Sequence, residues 1–321
     1  MRGWLFPLLL SASLGACGFE TRDGRPERVS SAERPVIYGE DERRDLFETL
    51  DLDLVDIGER SVAALVTRDI VSVGGDRVFL GTGETLDSFF ANSVGAPLCP
   101  EERFRDQPSA AFCSGTLIDD DLVLTAAHCV PLERFCADTS LVFRFYNEGP
   151  GRLAEITEAD VYDCIGIEAI SWLRDVAVLR LDRPVEGDLA PVDIRPDGRP
   201  LQPGDPIFLA GFPQGVPMKT AVGEAGGPID PESTAFFADI QGGNSGSAVL
   251  DARGRVAAVV SRGQTPDYTL TRDDCFASTR LTDGEGIGEI AGYVYRPLAE
   301  LCGAGKGSDR LCNQVSCPEC G

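Results

Sequence analysis

Leu122-Val123-Leu124-Thr125-Ala126-Ala127-His128-Cys129 is the stretch on which the reading of this 321-residue chain turns, because His128 is its one histidine. An apolar run ahead of it reads as a buried strand, which delivers the imidazole at its end. Downstream stands Gly242-Gly243-Asn244-Ser245-Gly246-Ser247, a serine framed by glycines. A serine hydroxyl is a weak nucleophile at neutral pH. It needs an imidazole to accept its proton and a carboxylate to fix that ring. One general base and one glycine-framed serine argue for a nucleophilic hydrolase.

The carboxylate is assigned to Asp175, which opens Asp175-Val176-Ala177-Val178-Leu179-Arg180-Leu181, a second β-branched run that reads as a mostly buried strand. A carboxylate beside such a strand requires a partner, because burying it unpaired costs several kcal/mol, and His128 is the imidazole available. Each residue alone has a plainer explanation. A lone histidine is more often structural, Asp175 reads equally as a strand-edge charge, and G-x-S-x-G strings arise by chance. Their joint occurrence in one order carries the hypothesis.

That order of histidine, aspartate and serine, with Cys113-Ser114-Gly115-Thr116-Leu117-Ile118 ahead of the T-A-A-H-C box and G-N-S-G-S around Ser245, resembles the chymotrypsin/trypsin-like serine proteases. Asn244 and Ser247 are more similar to the bacterial branch that includes glutamyl endopeptidases. The resemblance spans residues 36–300 and implies two six-stranded antiparallel β-barrels, about 36–185 and 186–300, with the site between them. It implies a serine endopeptidase in which Ser245 attacks, His128 moves the proton, Asp175 orients the ring and the Gly243 and Ser245 amides form the oxyanion hole. Gly242 and Gly243 permit the sharp turn such a hole needs. The resemblance also implies a Cys113–Cys129 disulfide across the histidine loop.

Asn244 departs from the digestive enzymes, which place an aspartate there to receive a new amino terminus. An amide forms no such ion pair, and a cut before Val36-Ile37-Tyr38-Gly39 would follow Pro35. Specificity is read two ways. Asp239, six residues before Ser245, stands where trypsin-like enzymes put the carboxylate that selects arginine or lysine. Ser261-Arg262-Gly263 resembles the segment that pairs with extended substrate backbone, and Arg262 offers a route to acidic substrates instead.

Composition independently argues for an all-β body. Short β-branched and aromatic runs recur between turn residues at 61–66, 116–125, 141–146, 176–181, 207–212, 248–250 and 255–261, and residues 287–301 suggest a terminal helix. The acid runs at 51–56 and 119–121 read as solvated loops, without the glycine and glutamate of a calcium loop. A formal charge of −23 disfavours nucleic acid as a partner. Polypeptide substrates are expected, with no metal or cofactor and a monomeric chain.

Residues 1–16 read as an export signal, too short to remain as a membrane span. Leu14-Gly15-Ala16-Cys17 resembles a bacterial lipobox, which implies lipidation of Cys17, a tether to residue 35 and a periplasmic, outer-surface or secreted location. Eleven cysteines less Cys17 leave an even number for disulfides. Cys99 with Cys136, and Cys164 with Cys275, are drawn as further pairs. The cysteine-rich tail, 301–321, reads as a small disulfide-tied appendage, ahead of a zinc site or a redox motif at Cys317-Pro318-Glu319-Cys320. The competing hypothesis from another class is a non-catalytic surface binding protein on the same fold.

Overall fold

The structure, a computed structural model, describes residues 37–315 apart from 82, 197, 264–265 and 282–287. The export segment, Cys17 and its tether, and Cys317 and Cys320 lie outside those residues. No helix among the described residues is long and apolar enough to cross a membrane.

Twelve strands form two closed antiparallel barrels, the all-β architecture expected. The first comprises β1 (Val62–Thr67), β2 (Cys113–Asp119), β3 (Leu122–Thr125), β4 (Thr139–Val142), β5 (Val161–Ser171) and β6 (Val176–Leu181). The second comprises β7 (Pro206–Gly211), β8 (Lys219–Asp230), β9 (Ser233–Phe237), β10 (Ala248–Leu250), β11 (Val256–Arg262) and β12 (Glu289–Tyr293). Neighbours run β1-β2-β3-β6-β5-β4 in the first and β7-β8-β9-β12-β11-β10 in the second, so both barrels share one winding order.

Side-chain alternation shows why these runs close as barrels. Along β7, Ile207 and Leu209 point into the second barrel's own core, while Ala210 joins the cluster that continues from the first barrel. Along β10, Val249 turns inward, and Ala248 and Leu250 join that same continuous cluster. A period of two therefore serves two apolar environments, the barrel interior and the seam between barrels. This accounts for strands that read as unbroken hydrophobic runs rather than polar alternations.

Two expectations are corrected. The acid run at 51–56 is not a loop: α1 (Leu52–Ser61) starts on an Asp51 cap that accepts the N–H groups of Asp53 and Leu54, each at 3.0 Å, and buries Leu54 and Gly58. Aspartates at a helix start satisfy orphan amides and face the positive end of the dipole. Residues 289–293 form the twelfth strand and the helix begins later, as α2 (Tyr295–Gly303), because a strand there completes the barrel between β9 and β11. In its described residues the tail is disulfide-tied, as expected, and packs against the body. A second helix, α3 (Asp309–Val315), buries Leu311 and Val315 in the main core, tied to α2 by Cys302–Cys312.

The disulfides also differ from two of the pairs drawn. Cys113–Cys129 is formed, but Cys99 pairs with Cys275 and Cys136 with Cys164. Cys99 donates its backbone N–H to Phe276 at 2.9 Å, which puts it beside Cys275. Cys136 sits in a short helix, Glu133–Ala137, whose neighbour across the bridge is β5 carrying Cys164.

Candidate active site

β3 ends at Thr125, and a single tight turn, Ala127–Cys129, projects His128 from the first barrel toward the seam. The loop between β5 and β6 meets it there. Ala127 donates its N–H to the Asp175 carbonyl at 3.1 Å, and His128 donates its own backbone N–H to Asp175 Oδ1 at 2.9 Å. The His128 ring nitrogen Nδ1 lies 2.6 Å from Asp175 Oδ2. An ionised carboxylate only accepts, so Nδ1 carries the proton and Nε2 is left as the base. Burial alone would push the Asp175 carboxyl up; the bonds from His128 and Ser261 outweigh it and hold the group below its ordinary value. Asp175 has a left-handed backbone, φ 54°, a conformation aspartate tolerates better than bulkier residues.

Ser245 comes from the second barrel, on the turn that leads into β10. That turn is gripped by the first barrel: Ser114 donates its N–H to the Ser245 carbonyl at 2.8 Å and its hydroxyl to the Gly243 carbonyl at 2.8 Å. Gly243 (φ 92°) and Gly246 (φ 89°) are left-handed, and a Cβ on either would collide with a carbonyl oxygen, of Phe212 and of Ser114 respectively. Among the described residues neither the Gly243 nor the Ser245 N–H has an acceptor. Ser114 is a site residue that the sequence did not single out, although the C-S-G-T motif that contains it carried the family resemblance.

His128 and Ser245 line one cavity of about 340 Å³, together with Ser261, Arg262, Gly263 and Asp267. Ser261 supports the acid, donating its hydroxyl to Asp175 Oδ2 at 2.7 Å. Gly263 has no room for a side chain, because a Cβ would run into the Glu289 carboxylate. Asp239 is placed otherwise than expected. It is 5 % exposed, it does not line the cavity, and its two oxygens accept the N–H groups of Tyr38 at 2.8 Å and Glu42 at 2.7 Å. The physical reason is the amino-terminal segment, which lies across it and takes up the carboxylate. Asp267 faces the cavity instead, accepts the Gly242 N–H at 2.8 Å, and is pushed up by burial against that bond.

The imidazole nitrogen and the sulfurs of Cys113 and Cys129 lie within 4.8 Å of one another. Both sulfurs are joined in a disulfide and have no thiolate to offer a metal.

Residues 113–259 match the trypsin-like peptidase domain family. A trypsin from Sarcophaga bullata is 32% identical over 104 residues, which is 32% of this chain and 39% of that protein, so the chain spans well under half of that relative's length. Two solved structures are similar at 16% identity. A Glu endopeptidase in complex with MPD has a TM-score of 0.49, covering 84% of this chain and 99% of its own. Rv3671c from M. tuberculosis, in an inactive form, has a TM-score of 0.41, covering 79% and 92%. Residues 113–259 thus match a trypsin-like peptidase domain, and the two closed barrels around them give the chain a fold similar to that of the chymotrypsin/trypsin-like serine proteases.

Proposed function

We propose that the chain is an exported serine endopeptidase working through His128, Asp175 and Ser245. The observation that carries this is His128, paired with Asp175, facing the same cavity as Ser245, with the ring's Nδ1 taken by the carboxylate and Nε2 left as base. Ser245 adds to the scissile carbonyl as His128 accepts its proton. The resulting oxyanion is held by the Gly243 and Ser245 amides, and His128 then protonates the leaving amine. Water, deprotonated by His128, hydrolyses the acyl-enzyme. No cofactor enters these steps. The segment from Ser261 to Gly263 lies along the cavity where extended substrate backbone would add.

The specificity carboxylate is reassigned from Asp239 to Asp267, a half-buried acid lining the cavity that the exposed Arg262 also lines. Cleavage after arginine or lysine follows from the more sequestered of these two charges, since desolvated charges discriminate best. The four disulfides among the described residues fit an extracellular protein. Export by the leading segment and lipidation at Cys17 complete the proposal.

A fluorogenic peptide library varied before the scissile bond tests it, with the parent, Ser245→Ala and Asp267→Asn compared. Turnover after arginine or lysine that disappears in Ser245→Ala, and whose basic preference collapses in Asp267→Asn, is expected. Serine-dependent cleavage after glutamate would keep the mechanism and reject Asp267. Cleavage unaffected by Ser245→Ala would reject the mechanism.

A further inference from the structure

Arg43 is 2 % exposed, and a guanidinium so deeply buried persists only where every face of it is satisfied. Nε and Nη2 donate to the two oxygens of Asp41 at 2.9 and 2.8 Å, and the Phe104 ring lies 5.2 Å from its centre. Those contacts neutralise the charge. Nη1 does something else: it donates to the side-chain oxygen of Gln241, a residue of the active-site cavity wall. Gln241 in turn anchors the turn before the serine. Its carbonyl accepts the backbone N–H of Asn244 at 3.0 Å and the Asn244 side-chain amide at 3.2 Å, while its own side chain is met by Tyr268 at 3.2 Å and Ser278 at 3.3 Å. Two residues upstream, Asp239 is clasped by the Tyr38 and Glu42 amides of the segment that carries Arg43.

We infer that Arg43 is a positioning residue for the substrate pocket: fixed by Asp41, it holds Gln241, and so the wall from Ile240 to Gly242, in the geometry that seats the side chain before the scissile bond. The inference rests on the serine-peptidase assignment of Ser245. A planar fork serves Asp41 and Gln241 simultaneously, whereas an ammonium is a single point charge, so lysine replaces arginine only in part. A slackened wall weakens seating of substrate more than the reactivity of Ser245 toward a reagent too small to touch that wall.

Arg43→Met and Arg43→Lys in the full chain test this through kcat and KM on the preferred library peptide, beside the rate of Ser245 labelling by diisopropyl fluorophosphate. Arg43→Met is expected to raise KM by about tenfold or more while labelling stays within about threefold of the parent, and Arg43→Lys to recover part of the KM. An unchanged KM in Arg43→Met overturns the inference. So do parallel losses in KM, kcat and labelling that lysine does not relieve, which are the mark of a residue that merely supports the fold. Should Arg43→Met fail to fold, Asp41→Asn loosens the same guanidinium without leaving it partnerless: a raised KM with parental labelling supports the inference, and a parental KM overturns it. Failure of the underlying assignment is distinct, appearing as a parent protein that resists labelling or as turnover that survives Ser245→Ala.

Discussion

Gly243 shows how little freedom the residues around the nucleophile have. Its backbone is left-handed at φ 92°, and the space a methyl group would fill is occupied by the Phe212 carbonyl oxygen, so Gly243→Ala meets both torsional strain and a backbone collision. The turn would move rather than the β-barrel behind it. Loss of one aligned oxyanion donor lowers kcat by about 100-fold or more, whereas strain of this kind costs stability only about 1–3 kcal/mol. Gly243→Ala is therefore expected to stay folded in thermal unfolding while kcat collapses; a variant with parental kcat would show that the Gly243 amide does not face the oxyanion. At this scale the convergence of His128 and Ser245 on one cavity was legible because the proposed chemistry fixes residue type and immediate neighbours. Which acid lines the cavity was not. Whether Asp239 or Asp267 reaches the cavity depends on Tyr38, 201 residues before Asp239, whose backbone takes one of the two out of play.

The elements divide according to what forms them. Val176–Leu181 and Ala248–Leu250 were readable to the residue, since their own β-branched and apolar side chains fill a core. Lys219–Asp230 was not readable, because Gly223, Gly226, Gly227 and Pro228 remove its intrinsic strand preference. Tertiary pairing makes it a strand, and close approach explains a glycine in it: a Cβ at Gly223 would occupy the place of the Phe237 carbonyl. The first helix erred in the opposite direction, its acids suggesting solvated loop when Asp51 is the cap and Asp53 lies in the first turn. Asp51→Ala removes acceptors for two helix amides. It is expected to lower stability by about 1 kcal/mol in denaturant unfolding with peptide turnover unchanged, because α1 packs away from the cavity. A loss of turnover at full occupancy of the folded state would tie α1 to the site after all.

Across the whole molecule, a formal charge of −23 gives the folded state a strong self-repulsion that the four disulfides among the described residues and a seam of shared core help it withstand. One cation is placed against that general logic. Lys219 is 3 % exposed, and its ammonium sits 2.7 Å from Asp45 Oδ1 and 2.7 Å from Gln107 Oε1, with the Phe104 ring 4.6 Å away. Burial wins over the attraction of Asp45 and the more distant Glu48, helped by repulsion from Arg43, and brings Lys219 down to about 8. An unfolded lysine titrates near 10.4, so between those two values the unfolded chain holds a proton that the folded chain has released. Stability therefore rises with pH across that window through this group, levels off above it, and carries the full cost of the buried charge below about 8. Integrated over the window the rise is on the order of 3 kcal/mol. General charge repulsion grows in the same range and masks it in the parent alone, which makes the difference between parent and Lys219→Met the quantity to measure by denaturant unfolding from neutral pH to above the lysine range. The stability of the parent relative to Lys219→Met should climb between the two pKa values. A difference that stays flat would mean that Asp45 and the surrounding carbonyls stabilise the buried ammonium enough to leave its proton in place.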